Sequence, residues 1–366
     1  MRAIWSEENK LSLWLDIEEF ASEALVSQGV VPKKDFLKIQ KGCQAWKGDT
    51  AGLFARQREL EKVLNHDVIA FTTAVTERIN DPASRWLHFG LTSSDIVDTA
   101  FAVQMVQSLD LLIRDVEALL AIIARRAREH QRTPCIGRSH GIHGEPTTFG
   151  LKLALMHEEF SRALARFRHL RTVVALGKLS GAVGTHAHLP PSVEAHVCKR
   201  LGLKPAPIAT QVIQRDISHS SVERVIFPDS CTLLDYMFGL LTRLMDGLLV
   251  YPENMRKNLG LSLGMWNSQT VLLALIRKGL TREDAYALVQ RNAMKTWEVK
   301  HAGRDDADFL EMLKADPEVA GHFKDGELEA LCSLDFHLKE VDQRFKDLGL
   351  APAPARKAAK RPARKR

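Results

Sequence analysis

From Asp95 the chain reads DIVDTAFAVQMVQSLDLLIRDVEALLAIIARRAREHQ with no proline or glycine, and its apolar residues recur at steps of three and four. That spacing predicts one long helix, begun by the Thr92-Ser93-Ser94 cluster and closed by basic residues at its end. A second long helix is predicted after Pro146, through FGLKLALMHEEFSRALARFRHLRTVVAL. A third starts near Ser220, where Ser220 and Glu223 have the S-x-x-E spacing of a capping box, and runs towards Leu249 despite Pro228. Between the first two, CIGRSHGIHGEPTT is too rich in glycine, proline and polar residues for a helix and predicts a loop. Strand signals are close to absent.

Residues 177–216 read as irregular with one short helix around Ser192 to Leu201, and Tyr251 to about Gly349 as shorter helices around Gly and Asp breaks. Three long helices make a bundle core, so the fold class is all-α. The pattern divides into an N-terminal helical domain (1–94), a central long-helix bundle (95–250), a C-terminal helical domain (251–349) and a basic tail (350–366) expected to be disordered.

Composition adds limits. A chain of 366 residues supports two or three domains. No apolar run approaches the ~20 residues that cross a bilayer, and MRAIWSEENK has two acids and no apolar leader core, which argues against export. Five scattered cysteines without a C-x-x-C pair argue against a disulfide framework or zinc ribbon and for reduced thiols in a cytoplasm. The net charge of +6 belongs to the tail: Arg356 to Arg366 holds seven Lys/Arg and no acid, which leaves −1 for the rest. Nucleic-acid binding would be confined to that tail, weak and phosphate-directed, since no aromatic residue is there to stack on bases.

Three separated stretches carry a resemblance: LHFGLTSSDIVDTA (Leu87 to Ala100), GRSHGIHGEPTTFGLKLAL (Gly137 to Leu155), and KLSGAVGTHAHLPPSVE with RDISHSSVERVIFPDS. Their order and content resemble the adenylosuccinate lyase family of the fumarase/aspartase superfamily, from about Ala3 to Gly349. The resemblance implies a long-helix bundle of the fumarase/aspartase type and a homotetramer with active sites between subunits. It also implies a β-elimination releasing fumarate from an anionic nucleotide substrate. Such chemistry needs an acid, a base, donors for several anionic groups and a closing loop, and no metal or organic cofactor.

By that resemblance His140 is the catalytic acid/base, in Ser-His-Gly, with Ser139 where a threonine is usual. The alternative for His140 is a loop histidine capping a helix. His143 would make a metal pair with His140, but no further ligands at suitable spacing appear. His66 and His88 match positions that line the pocket and orient the acid, with Asn65 and Asp67 on the substrate. Thr92 and Ser93 offer hydroxyl and N–H donors to a carboxylate or phosphate, or simply cap the long helix. Gln211, Arg215, Ser220 and Arg224 match contacts to the nucleotide side, where an arginine fork suits phosphate.

The sequence also departs from the family. A mobile loop reading S-S-x-M-P-x-K-x-N-P, which supplies the catalytic serine, a lysine and an asparagine, occurs nowhere in the chain. Two Arg-Asp sites that flank a helix, that loop and a second helix are fused here into one, QRDISHSS at Gln214 to Ser221. Roughly 80 residues are then missing, which leaves the central bundle short of two helices. The Arg-Tyr pair expected just upstream of the first helix is also absent. Apolar faces once covered by the missing helices should stand exposed, and activity of the chain alone should be impaired.

Overall fold

The computed structural model describes residues 1–209, 220–304, 306 and 308–351. Four helices open the chain: α1 (Glu7–Ser27), α2 (Lys33–Lys47), α3 (Thr50–Leu64) and α4 (Asp67–Ile79). Their starts follow from local chemistry, because Ser6 and Asp49 accept backbone N–H groups of the first turns of α1 and α3. The three predicted long helices are α5 (Ser93–Glu129), α6 (Phe149–Val174) and α8 (Ser220–Asp246), with Pro228 inside α8. The short helix near Ser192 is α7 (Pro191–Leu201).

CIGRSHGIHGEPTT departs from the sequence reading, since it is no loop. It forms an antiparallel hairpin of β1 (Pro134–Ser139) and β2 (Ile142–Thr148). Its glycines and prolines sit at irregular points of the ladder, which is why the segment lacks a strand-like alternation. A minimal parallel pair, β3 (Leu176–Gly177) and β4 (Lys204–Pro205), accompanies α7. After α8 come α9 (Pro252–Gly260), α10 (Ser268–Arg277) and α11 (Arg282–His301), then five short helices between Phe309 and Asp347.

Contacts group the chain into two units, 1–118 with 162–241 and 119–161 with 242–366, and the division cuts each long helix. The first unit's core gathers Leu11, Trp14, Leu15 and Ile17 of α1 with Ile39, Leu53, Phe71, Ile96, Val193 and Val197. In the second unit Val271, Leu275, Ala285, Phe309 and Leu313 are buried together. Buried Asp316 there accepts from Arg291 and Asn292, which hold its carboxyl below the usual range against the opposing effect of burial. Arg132 pairs with Asp342 in the same unit.

Within α5 an 18-residue window has mean hydropathy 1.4, long and apolar enough by composition to cross a membrane. This corrects the reading that no run comes close. Since 56% of the window is buried inside the fold, the apolarity serves core packing. On α8 a stripe runs the other way: Leu233, Met237, Leu240 and Leu244 recur at helical spacing and are all exposed, with Tyr236 alongside. Phe227 and Phe238 of the same helix pack edge-on against Phe101 and Phe167. The helix is thus apolar on a packed side and on an exposed one.

Candidate active site

In the first unit the predicted residues meet where α4 and α5 begin. Asn65 ends α3 in the left-handed conformation (φ 51°), which asparagine tolerates. His66 is the N-cap of α4, its Nδ1 accepting the Ile69 N–H at 3.3 Å. An accepting Nδ1 leaves the neutral ring's proton on Nε2, which lies 3.4 Å from Ser93 Oγ at the start of α5. Asp67 sits 3.7 Å from Arg224 of α8, and both line a pocket of about 160 Å3 with Trp5, Lys10, Trp14, Phe101 and Glu223. His66, Asp67, Ser93 and Arg224 therefore form one neighbourhood.

Thr92 precedes α5, and its backbone N–H is taken by the Asp95 carboxylate at 3.0 Å, half of a capping box. Asp95 is fully buried and so is its partner Lys178, Nζ to Oδ1 2.7 Å. The same ammonium donates to Ser94 Oγ at 3.1 Å and to the Gly181 carbonyl at 2.6 Å, while Asp95 also accepts the Gly181 N–H. Thr99 exchanges hydrogen bonds with the Lys178 backbone, and Glu194 accepts the Leu179 N–H. The KLSG segment is thus pinned to the first turns of α5, directly under Thr92 and Ser93.

His88 lies in the preceding turn with φ 60°. Glu18 of α1, fully buried, accepts both its backbone N–H (2.9 Å) and its Nδ1 (2.7 Å). Burial pulls the imidazole pKa down, but the hydrogen bond and charge of Glu18, helped by Asp95, outweigh it and raise the pKa above the ordinary value. A raised folded-state pKa favours the fold below about pH 6.5 and loses that contribution as pH climbs through the folded value. The stability gap between the wild type and His88→Gln should accordingly shrink as pH is raised from 6 to 9, read by urea unfolding.

His140 belongs to the second unit. It forms, with Gly141, the two-residue turn between Ser139 and Ile142, and both have positive φ, 50° and 76°. That is the signature of a type I′ turn, whose twist matches its strands. The helix-capping alternative is not what the fold uses. A bulge on β2, where Gly144 and Glu145 oppose the single residue Gly137, bends that strand, and a Cβ on Gly137 would lie 2.9 Å from the Glu145 carbonyl oxygen. His140 is exposed at the tip, while His143 pairs across with Arg138 on the ladder. Burial first, then the charges of Arg138 and Lys300, hold the His143 pKa below normal. Among the described residues no group of three His, Cys, Asp or Glu is placed to hold a metal.

Gln211 and Arg215 lie outside the described residues, as do the side chain of Ser220 and most of the Gln214 to Ser221 junction. The basic tail from 352 onward is outside them too. Sequence reasoning missed Glu18, Asp95 and Lys178. The last two were visible as charges inside the quoted motifs, whereas Glu18 shows only as a carboxylate at a core-facing position of α1.

The first 223 residues match a family model described as lyase, and residues 264–348 match one described as adenylosuccinate lyase C-terminus. The backbone superposes on a fumarate lyase from Mesorhizobium sp. BNC1 with TM-score 0.84 and 21% identity, covering 95% of this chain and 96% of that one. It also superposes on the 3-carboxy-cis,cis-muconate lactonizing enzyme of Pseudomonas putida, TM-score 0.79 and 21% identity, with 95% of each chain covered. These two speak for the fold alone, and with the first family match they define an all-α lyase of the fumarase/aspartase type. Curated adenylosuccinate lyases align far more closely: 36% identity over 436 residues for that of Bacillus subtilis strain 168 and 35% over 435 for that of Streptococcus mutans. Each alignment covers 96% of this chain and 98% of the relative. The chain belongs to the adenylosuccinate lyase family.

Proposed function

We propose that the chain descends from an enzyme releasing fumarate from adenylosuccinate, and from the related succinyl-carboxamide ribotide, in the purine nucleotide synthesis of a cytoplasm. The observation that carries this reading is an alignment with adenylosuccinate lyases across 96% of the chain. In it His140 is the acid/base, with His66 and His88 lining the pocket and orienting the reacting groups. Thr92 and Ser93 donate to an anionic group, and Asn65, Asp67, Gln211, Arg215, Ser220 and Arg224 hold the rest of the substrate. A tautomer of His66 with its proton towards Ser93 suits a donor beside an anion.

The reading includes an internal loss of the serine loop and its two flanking helices. It is supported by the absence of the S-S-x-M-P-x-K-x-N-P string and by an alignment 436 positions long on a chain of 366 residues, which must carry gaps on this side. The exposed stripe on α8 is in keeping with a tetramer, either of this chain or with an intact subunit. Losing a general base costs about 10²–10⁴-fold. Purified protein should release fumarate at least 10²-fold more slowly than a loop-intact relative, and a normal rate would overturn the impairment. A second reading, an inactive nucleotide- or subunit-binding relative, is favoured by the same stripe, and calorimetric binding of adenylosuccinate without turnover selects it.

A further inference from the structure

Helix α1 presents its inner face as Leu11, Trp14, Leu15, Ile17, Ala21 and Leu25, and two carboxylates interrupt it. Glu19 is neutralised in an ordinary way, by Lys47 at 2.8 Å and the Gln40 amide at 3.0 Å. Among the described residues Glu18 faces no lysine or arginine in an ion pair, and its two oxygens meet a single residue, His88, one on the backbone N–H and one on Nδ1. Removing a carboxylate from water costs several kcal/mol, so a core position holding one for two bonds to one histidine is not accounted for by packing. His88 itself occupies the left-handed region, a conformation that disfavours most side chains. That conformation turns its N–H and its ring nitrogen to the same carboxylate.

We infer that Glu18 is a positioning residue for His88, fixing the ring through Nδ1 so that Nε2 alone is offered to an anionic group of the substrate. A carboxylate only accepts, so the neutral imidazole carries its proton on Nδ1. Nε2 makes no hydrogen bond to the described residues, and the side chain keeps 26% of its surface open. The charged groups acting on the ring are Glu18 from α1 and Asp95 from α5, the latter itself ion-paired with Lys178. With the ring cationic, Nε2 donates, and Glu18 keeps it in that state nearer neutrality than a free imidazole.

The identity of the anion rests on the adenylosuccinate reading, whereas the positioning does not. Nitrogen-resolved NMR of the histidines in the full chain, assigned with His88→Gln, gives the tautomer and titration of His88 without ligand. Calorimetry with adenylosuccinate gives affinity. In the wild type the neutral ring should carry its proton on Nδ1. In Glu18→Gln the titration midpoint should fall, and affinity should weaken about tenfold or more, the size of one charge-assisted hydrogen bond. A wild-type neutral ring protonated on Nε2, or an unchanged midpoint in Glu18→Gln, overturns the inference. If Glu18→Gln does not fold, the wild-type tautomer decides by itself. If the wild type binds no adenylosuccinate, the substrate reading fails while the ring's titration still rules on Glu18.

Discussion

Replacing Lys178 with methionine should destabilise the first unit by about 3–5 kcal/mol, the usual cost of leaving half of a buried ion pair behind. The reason is specific to the site. Asp95 is fully buried, and Lys178 is the cation that compensates it at 2.7 Å. The methionine fills much the same volume but leaves the Asp95 charge without its cation and the Ser94 hydroxyl and the Gly181 carbonyl without their donor. Adding Asp95→Asn should recover part of the loss, because a neutral amide costs less to bury and still accepts from Thr92 or Gly181. Denaturant unfolding followed by tryptophan fluorescence measures all three proteins. An unchanged midpoint in Lys178→Met would mean that water reaches the pair.

On the proposed loss of the serine loop, supplying that loop should have a still larger effect on function. Inserting the helix–loop–helix of an intact family member at the Gln214 to Ser221 junction should raise fumarate release by about 10²–10⁴-fold or more. The rise combines a returned general base with a loop that excludes water and holds the substrate. The matching insert with its catalytic serine changed to alanine should stay near the starting rate while covering the same apolar surface. Fumarate absorbance gives the rate and light scattering the association, so repair of chemistry and repair of folding are read apart. Equal rates for the two inserts would show that the base lies elsewhere.

Much of this molecule was legible beforehand because its largest elements obey a single rule. Repetition at 3.6 residues over 26 or more positions, as in α5, α6 and α8, has no competing explanation. The hairpin at Pro134–Thr148 escaped because its strands are interrupted by Gly137 and Pro146 and its turn is His-Gly, where Asn-Gly or Asp-Gly would announce a turn. Thr92 and Ser93 do lie at the start of a long helix, the position that their motif gave them. His66 as a cap was not legible, since an imidazole is outside the usual Ser, Thr, Asp and Asn set. Glu18 with His88 and Asp95 with Lys178 pair across 70 and 83 residues, and no local pattern encodes such a partnership.

The hairpin that carries His140 also limits how this sequence can change. Its turn is two residues long with both at positive φ, so histidine there competes mainly with glycine, asparagine and aspartate on conformational grounds. Length is constrained more severely. One extra residue in the tip would move β2 by a step against β1 and send Ile142, His143 and every following side chain to the opposite face. Under the proposed loss of the serine loop, the imidazole can be lost or replaced by point mutation while the hairpin is kept. Insertions and deletions at this tip should be rejected even after selection for catalysis has ceased.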